Sequence, residues 1–135
     1  NQIVQWTDVN QMQLNAKKSK VMIFNCTKIY QFSTRLYINN ALLEIIEETK
    51  LLGTIISSDH TWTSNTEMLV KKGYQRMIIL HKLYKFNVPD KDMVNIYTLF
   101  IRSILEQSCA LWYFDITHDE ISDIEHVQKV ACKVI

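Results

Sequence analysis

Residues 68–84, MLVKKGYQRMIILHKLY, decide how the rest of the chain is read. Projected at about 100° per residue, Leu69, Val70, Gly73, Tyr74, Met77, Leu80 and Tyr84 share one arc, while Lys71, Lys72, Gln75, Arg76 and Lys82 fall on the opposite arc. That pattern predicts an amphipathic helix. Ser64 followed at the third position by Glu67 has the form of a capping box, which sets the helix over residues 64–85. Toward the C-terminus, Pro89 and Asp90 open a second helix, because proline suits a first turn and an acid complements the dipole. Residues 93–112 are apolar nearly all round, with Arg102 and Glu106 the only charges, which predicts burial of most of the circumference. Thr117 and Glu120 repeat the capping-box form before a third helix that runs to the end.

Before Trp62 the period changes. Residues 50–56 read as a strand in which Gly53 marks a bulge or a close approach of another backbone. Residues 35–38 and 41–46 read as strands joined by Asn39-Asn40, since asparagine tolerates the positive φ of a two-residue hairpin turn. Residues 19–25 form a short apolar run bounded by polar residues, as a buried strand would. Ile3, Trp6, Val9, Met12 and Gln13 lie near helical spacing, so residues 2–13 read as the end of a helix. The expectation is an α+β chain: a small antiparallel sheet over residues 1–60, then three helices over 61–135.

Composition narrows the function. The 135 residues are 47% apolar, enough for one domain or a piece of one with a real core. Only two glycines occur, Gly53 and Gly73, twenty positions apart, and a phosphate-cradling loop needs clustered glycines. The net charge of +1 leaves any attraction to nucleic acid to local clusters. Cys26, Cys109 and Cys132 are odd in number and widely spaced, which suits reduced thiols in an intracellular protein, nuclear or cytoplasmic and not secreted. No leader and no apolar run of membrane length appears, so a soluble protein is expected. Asn1 in place of Met, and an apolar period running through to Ile135, give both ends the look of cuts.

Few residues suggest self-contained chemistry. His60, His81, His118 and His126 lack zinc-site spacing and read as surface histidines. Asp90, Asp92, Asp115, Asp119, Glu120, Asp123 and Glu125 lie at or near expected helix starts, where acids complement the dipole, so no metal site is assigned to them. No Ser or Cys sits in a Gly-flanked elbow. What remains is the basic arc of residues 64–85, which is either a solvated face or a helix lying along a phosphate backbone, with lysines as point charges and Arg76 able to fork onto phosphate oxygens.

Particular residues favour the second use. Residues 14–24, LNAKKSKVMIF, resemble the segment after the catalytic strand pair in reverse transcriptases of non-LTR (LINE-type) retrotransposons, where Leu-Asn, a Lys-Thr step and an apolar strand recur. Residues 36–46, the run Lys50, Leu51, Leu52, Gly53, and Trp62 look like that family's hairpin and Leu-Gly primer grip. Lys71, Lys72, Tyr74, Arg76 and residues 101–105 leading to Trp112 are similar to its thumb and the segment that follows. Ala16 stands where the family often has Pro, Ser19 replaces Thr and Asn40 replaces a turn Gly.

The resemblance implies the last part of a palm with its primer-grip hairpin over 1–60, and a helical thumb with the start of a connecting region over 61–135. It implies a parent RNA-directed DNA polymerase whose partners are an RNA template, a DNA primer and the upstream palm and fingers. Lys18 matches the lysine that in such enzymes lies near the incoming triphosphate and serves as a general acid toward pyrophosphate. Leu51, Leu52 and Gly53 match the primer grip, and Lys71, Lys72 and Arg76 would face the template-primer. The Mg²⁺ of the intact polymerase belongs to paired aspartates in an aromatic-x-Asp-Asp turn, which this sequence lacks, so the piece alone is expected not to polymerise. The alternative of a different class is a helical protein-protein interaction module, docking through exposed apolar surface of residues 93–112.

Overall fold

The computed structural model describes residues 2–24 and 35–135; Asn25 and Cys26, which the sequence reads as a strand end and a reduced thiol, lie outside the described residues. Among the described residues the fold is mixed α+β, 54% helical and 13% strand, so helices supply the core. The chain divides into two compact units, residues up to 49 with 57–60, and residues 50–56 with 61–135.

In the first unit, α1 spans Gln2–Val9. It is shorter than the apolar spacing predicts, because Gln11 turns left-handed (φ 54°) and Met12 donates its N–H back to the Thr7 carbonyl at 2.8 Å. Ile3, Trp6, Val9 and Met12 are all exposed. The short strand β1, Lys20–Val21, pairs in parallel with β4, Glu44–Ile45, and an exposed Lys20–Glu44 ion pair at 3.1 Å sits on the same rung. Between them, β2 (Tyr37–Ile38) and β3 (Ala41–Leu42) form an antiparallel hairpin with Ile38 opposite Ala41. Asn39 and Asn40 take φ of 48° and 61°, the left-handed pair of a primed turn, as expected from their side chains. Residues 41–46 thus serve two partners, and the pairing with β1 is parallel where the sequence suggested only antiparallel pairing.

Residues 50–56 do not form one strand. β5 (Glu48–Leu51) and β6 (Thr54–Ser57) are neighbours joined by Leu52-Gly53, a hairpin whose turn residues both have positive φ, 49° and 95°. The glycine read as a bulge is the second residue of this turn, where its missing Cβ makes the conformation inexpensive.

The second unit is built on α2, Thr63–Lys85, which packs on α6 and on the segment of residues 90–105. Helix α2 begins one residue before the proposed capping box. Its N-cap is Trp62, which makes no side-chain cap bond and whose carbonyl accepts from the Thr66 N–H (2.9 Å) and hydroxyl (3.1 Å). Leu69, Gly73, Met77 and Leu80 form the buried face, while Tyr74 and Tyr84, assigned to that face by the projection, are exposed. Gly73 sits where α2 meets α6: a Cβ there would lie 2.9 Å from Val127 Cγ1 and 3.2 Å from Leu105 Cδ2. A mid-helix glycine costs about 1 kcal/mol against alanine, and the close crossing offsets it.

Residues 93–112 do not make one helix. Helix α3 is Asp90–Ile96, opened by Pro89 with Asp90 and Asp92 in its first turn as expected. A π-helical segment, Tyr97–Arg102, follows, then α4, Ser103–Leu105, and after a break at residues 106–108, α5, Cys109–Trp112. A π turn weakens the backbone ladder, and side chains answer it: Arg76 Nη1 donates to the Phe100 carbonyl at 2.9 Å, and the Ser103 hydroxyl to the Leu99 carbonyl at 2.5 Å. Met93, Ile101, Ile104, Leu105 and Trp112 are buried, but Val94, Leu99, Phe100 and Leu111 are exposed, with Leu99 at 68%. The expectation of all-round burial therefore fails, because this stretch packs one face into the cluster with Met77, Leu80, Val127 and Ala131 and leaves the other outside.

Two apolar clusters hold the unit together. Met77, Leu80, Met93, Ile101, Leu105, Val127 and Ala131 form one, and Leu69, Ile104 and Trp112 the other. Helix α6, His118–Val134, starts with the capping box read from the sequence: the Thr117 hydroxyl accepts from the Glu120 N–H at 3.3 Å, and the Thr117 N–H donates to Glu120 Oε2 at 2.7 Å. Burial would raise the Glu120 carboxyl, but hydrogen bonds from the Thr117 backbone and from the Thr63 and Thr117 hydroxyls hold it below the ordinary glutamate value. Because the folded group titrates lower than the unfolded one, its stabilisation is complete above the unfolded pKa and is lost as pH falls through the folded one. Thr117→Ala is expected to cost about 1 kcal/mol in urea unfolding at neutral pH, and to flatten the acid limb of the stability profile that the wild-type chain shows below the ordinary glutamate range.

Candidate nucleic-acid interface

Six of the seven residues singled out by the sequence, Leu51, Leu52, Gly53, Lys71, Lys72 and Arg76, belong to the second unit, and Lys18 belongs to the first. Lys18 is exposed in a turn organised by Asn15: its N–H donates to the Asn15 carbonyl at 3.0 Å, and Asn15 Oδ1 accepts from the Lys17 N–H at 3.0 Å.

The Leu52-Gly53 turn is fixed to the helices at two points. Asn65, on the first turn of α2 and 1% exposed, accepts the Ile55 N–H on Oδ1 at 3.1 Å. On the other side, Gln107 Nε2 donates to the Leu52 carbonyl at 3.3 Å, and its amide fills the space that a Cβ on Gly53 would take. Gln107 stands in the helix break, where Ser108 is left-handed (φ 55°) and the Gln107 carbonyl accepts from the Trp112 indole N–H at 2.9 Å. Leu51 is exposed, and Leu52 points out at 91% exposure, although leucine is costly both in a left-handed turn and in water. The companion hairpin puts asparagine at that position. Neither Asn65 nor Gln107 carried a sequence signal: both are polar residues inside helical patterns, where solvated side chains are the ordinary expectation.

Along α2 the cations separate into two groups. Lys71, Lys82 and Lys85 fall within about 60° of one another, opposite the buried face, and all are exposed. Arg76 lies about 140° round from Lys71, on the flank, and spends one guanidinium nitrogen on the Phe100 carbonyl. Lys72 is half-buried. The three ion pairs found among the described residues are Lys20–Glu44, Arg102–Glu106 and Lys129–Glu125, so none of the α2 cations is held by a carboxylate at ion-pair distance there. Lys71 nonetheless shares a surface hollow of about 270 Å³ with Glu67, Glu120 and Asp123, whose negative charges oppose its own. The positive stretch of α2 is its second half, around Lys82 and Lys85, which also form the basic last turn that suits the helix dipole.

Another hollow of the unit, about 480 Å³, is apolar, lined by Leu105, Trp112, Phe114, Ile116, Ile121 and Ile124 with Glu106 and Glu125 among its polar neighbours. His60, His81, His118 and His126 are exposed, and among the described residues no three His, Cys, Asp or Glu side chains converge as metal ligands. No helix of the described residues is long and apolar enough to cross a membrane. Compared with models of protein families, with curated proteins and with solved structures, the chain matches none of them.

Proposed function

We propose that this chain is the palm-end and thumb portion of an RNA-directed DNA polymerase of the non-LTR retrotransposon type, and that it grips template-primer nucleic acid and positions the primer end. The observation that carries the reading is an exposed hairpin tip, Leu52, secured to the base of a helix whose outer face carries lysines free of carboxylate partners among the described residues. Lysines at the helix surface supply point charges for the phosphate backbone, and an apolar tip at the root of the helix offers a contact for the sugar and base at a strand end.

The divalent ions of the parent polymerase do not fit this chain. It has no adjacent pair of aspartates, and among the described residues no three His, Cys, Asp or Glu side chains converge as metal ligands, so no catalytic step is assigned to it. Lys18 retains the role of general acid only in the setting of the intact palm.

The test is a salt titration of binding to an RNA–DNA hybrid. Three or four neutralised phosphates make affinity fall roughly 40- to 150-fold between about 50 and 200 mM salt. Absence of binding, or binding indifferent to salt, overturns the proposal. The second reading, a helical interaction module, is favoured by the exposed Val94, Leu99, Phe100 and Leu111, and it predicts partner capture that is insensitive to charge on α2.

A further inference from the structure

We infer that Gln107 is the positioning residue of the hairpin tip, holding Leu52 in place so that it discriminates a recessed 3′ end from a continuous duplex. The inference rests on the nucleic-acid reading above and adds to it a residue that neither the spacing nor the resemblance singled out.

The geometry is a relay of two hydrogen bonds through Gln107. The indole of Trp112, 2% exposed, donates to the Gln107 carbonyl and so anchors that backbone to the core. Helix α4 ends at Leu105 and α5 begins after the left-handed Ser108, so Gln107 lies in the break between them, and its side chain reaches the hairpin. The side-chain amide then donates to the carbonyl of Leu52, the first residue of the turn, 55 positions away in sequence. Gly53 is the counterpart, since a larger residue there would collide with the same amide.

Such a relay matters because of what it holds. A leucine at φ 49° with nine tenths of its side chain in water is unfavourable in both backbone and solvation, and a turn that only had to close would carry Asn or Gly. A fixed apolar tip becomes favourable when it meets an apolar or π surface, and the exposed terminal base of a recessed strand presents one, whereas a continuous duplex presents only backbone. Phosphate contacts from α2 fix affinity without regard to ends, and the tip supplies the end preference.

The test compares two RNA–DNA hybrids of equal length, one with a recessed DNA 3′ end and one with that end closed by a loop. The 135-residue chain and its Gln107→Met variant, similar in length but without a donor, are titrated with each. The wild-type chain is expected to prefer the recessed end by about fivefold, the lower end of what one stacked contact to a base supplies. The variant is expected to bind both ends within about twofold of each other, with the salt slope unchanged and with faster amide exchange over residues 52–54 in the free protein. If the variant keeps the preference, or its exchange at the tip is unaltered, the positioning role is overturned while the lysine grip stands. If the wild-type chain binds both hybrids equally, end recognition is overturned and the grip again stands. If it binds neither, both fall together.

Discussion

Trp112→Ala is expected to lower the unfolding free energy by about 3–5 kcal/mol, the largest effect of any single truncation in the helical unit. The indole is among the largest fully buried side chains and packs against Leu69 of α2 and Ile104 of α4. Its removal leaves a void between a 23-residue helix and a short interrupted one, and neither can move far, because Gly73 already brings α2 hard against Val127 and Leu105. The Gln107 carbonyl also loses its donor in a stretch where the broken helix offers no other. Trp112→Phe separates the two losses: it keeps an aromatic ring in the site and is expected to cost about 1–2 kcal/mol for the missing N–H and the reduced volume. Urea unfolding followed by far-UV circular dichroism checks both. A loss under about 1 kcal/mol for the alanine variant would mean that Trp112 is not a core residue.

The second large effect concerns binding. Lys82→Glu together with Lys85→Glu is expected to weaken association with an RNA–DNA hybrid about 100-fold at about 50 mM salt and to lower the salt slope by about two, one for each phosphate that is no longer neutralised. Both side chains are exposed in the last turns of α2, away from the acids near Lys71, so their replacement should leave the fold intact. Lys71→Glu alone is expected to cost less than about tenfold, because Glu67, Glu120 and Asp123 already offset that charge. Arg76→Glu would mix two effects, since the guanidinium also supports the π segment through the Phe100 carbonyl. Equal effects at Lys71 and Lys82, measured by fluorescence anisotropy over a salt series, would contradict this division of α2.

What could be read from the sequence, and what could not, follows local chemistry. Asn39-Asn40, Pro89-Asp90 and the Thr117–Glu120 box each announce themselves through side chains that bond or pre-shape their own backbone, and each stands where expected. The Leu52-Gly53 turn is hidden because leucine in the left-handed region runs against propensity, so the stretch looks like one strand with a flaw in it. Ser64 and Glu67 have the same spacing as Thr117 and Glu120, yet α2 starts earlier, at Thr63. The break at Gln107 could not be foreseen, since nothing in Ile-Leu-Glu-Gln-Ser-Cys signals it; the left-handed Ser108 and the bond from the Trp112 indole to the Gln107 carbonyl accompany it in the structure. The basic residues of α2 are legible as a group, and a finer projection already sets Arg76 apart from the row of Lys71, Lys82 and Lys85, but its bond to the Phe100 carbonyl depends on a neighbour that the projection of one helix cannot contain.

The bond from Gln107 to Leu52 also bears on the order in which the molecule assembles. It closes a loop of 55 residues, whereas the caps and crossings of α2 and α3 join near neighbours, and distant contacts form late when their entropy must first be met by local ones. The hairpin tip therefore acquires its final shape late, along with the equally distant crossing of α2 and α6 at Gly73 and Val127, so a nascent or partly denatured chain presents a mobile Leu52, and a sharp one arrives together with the finished core.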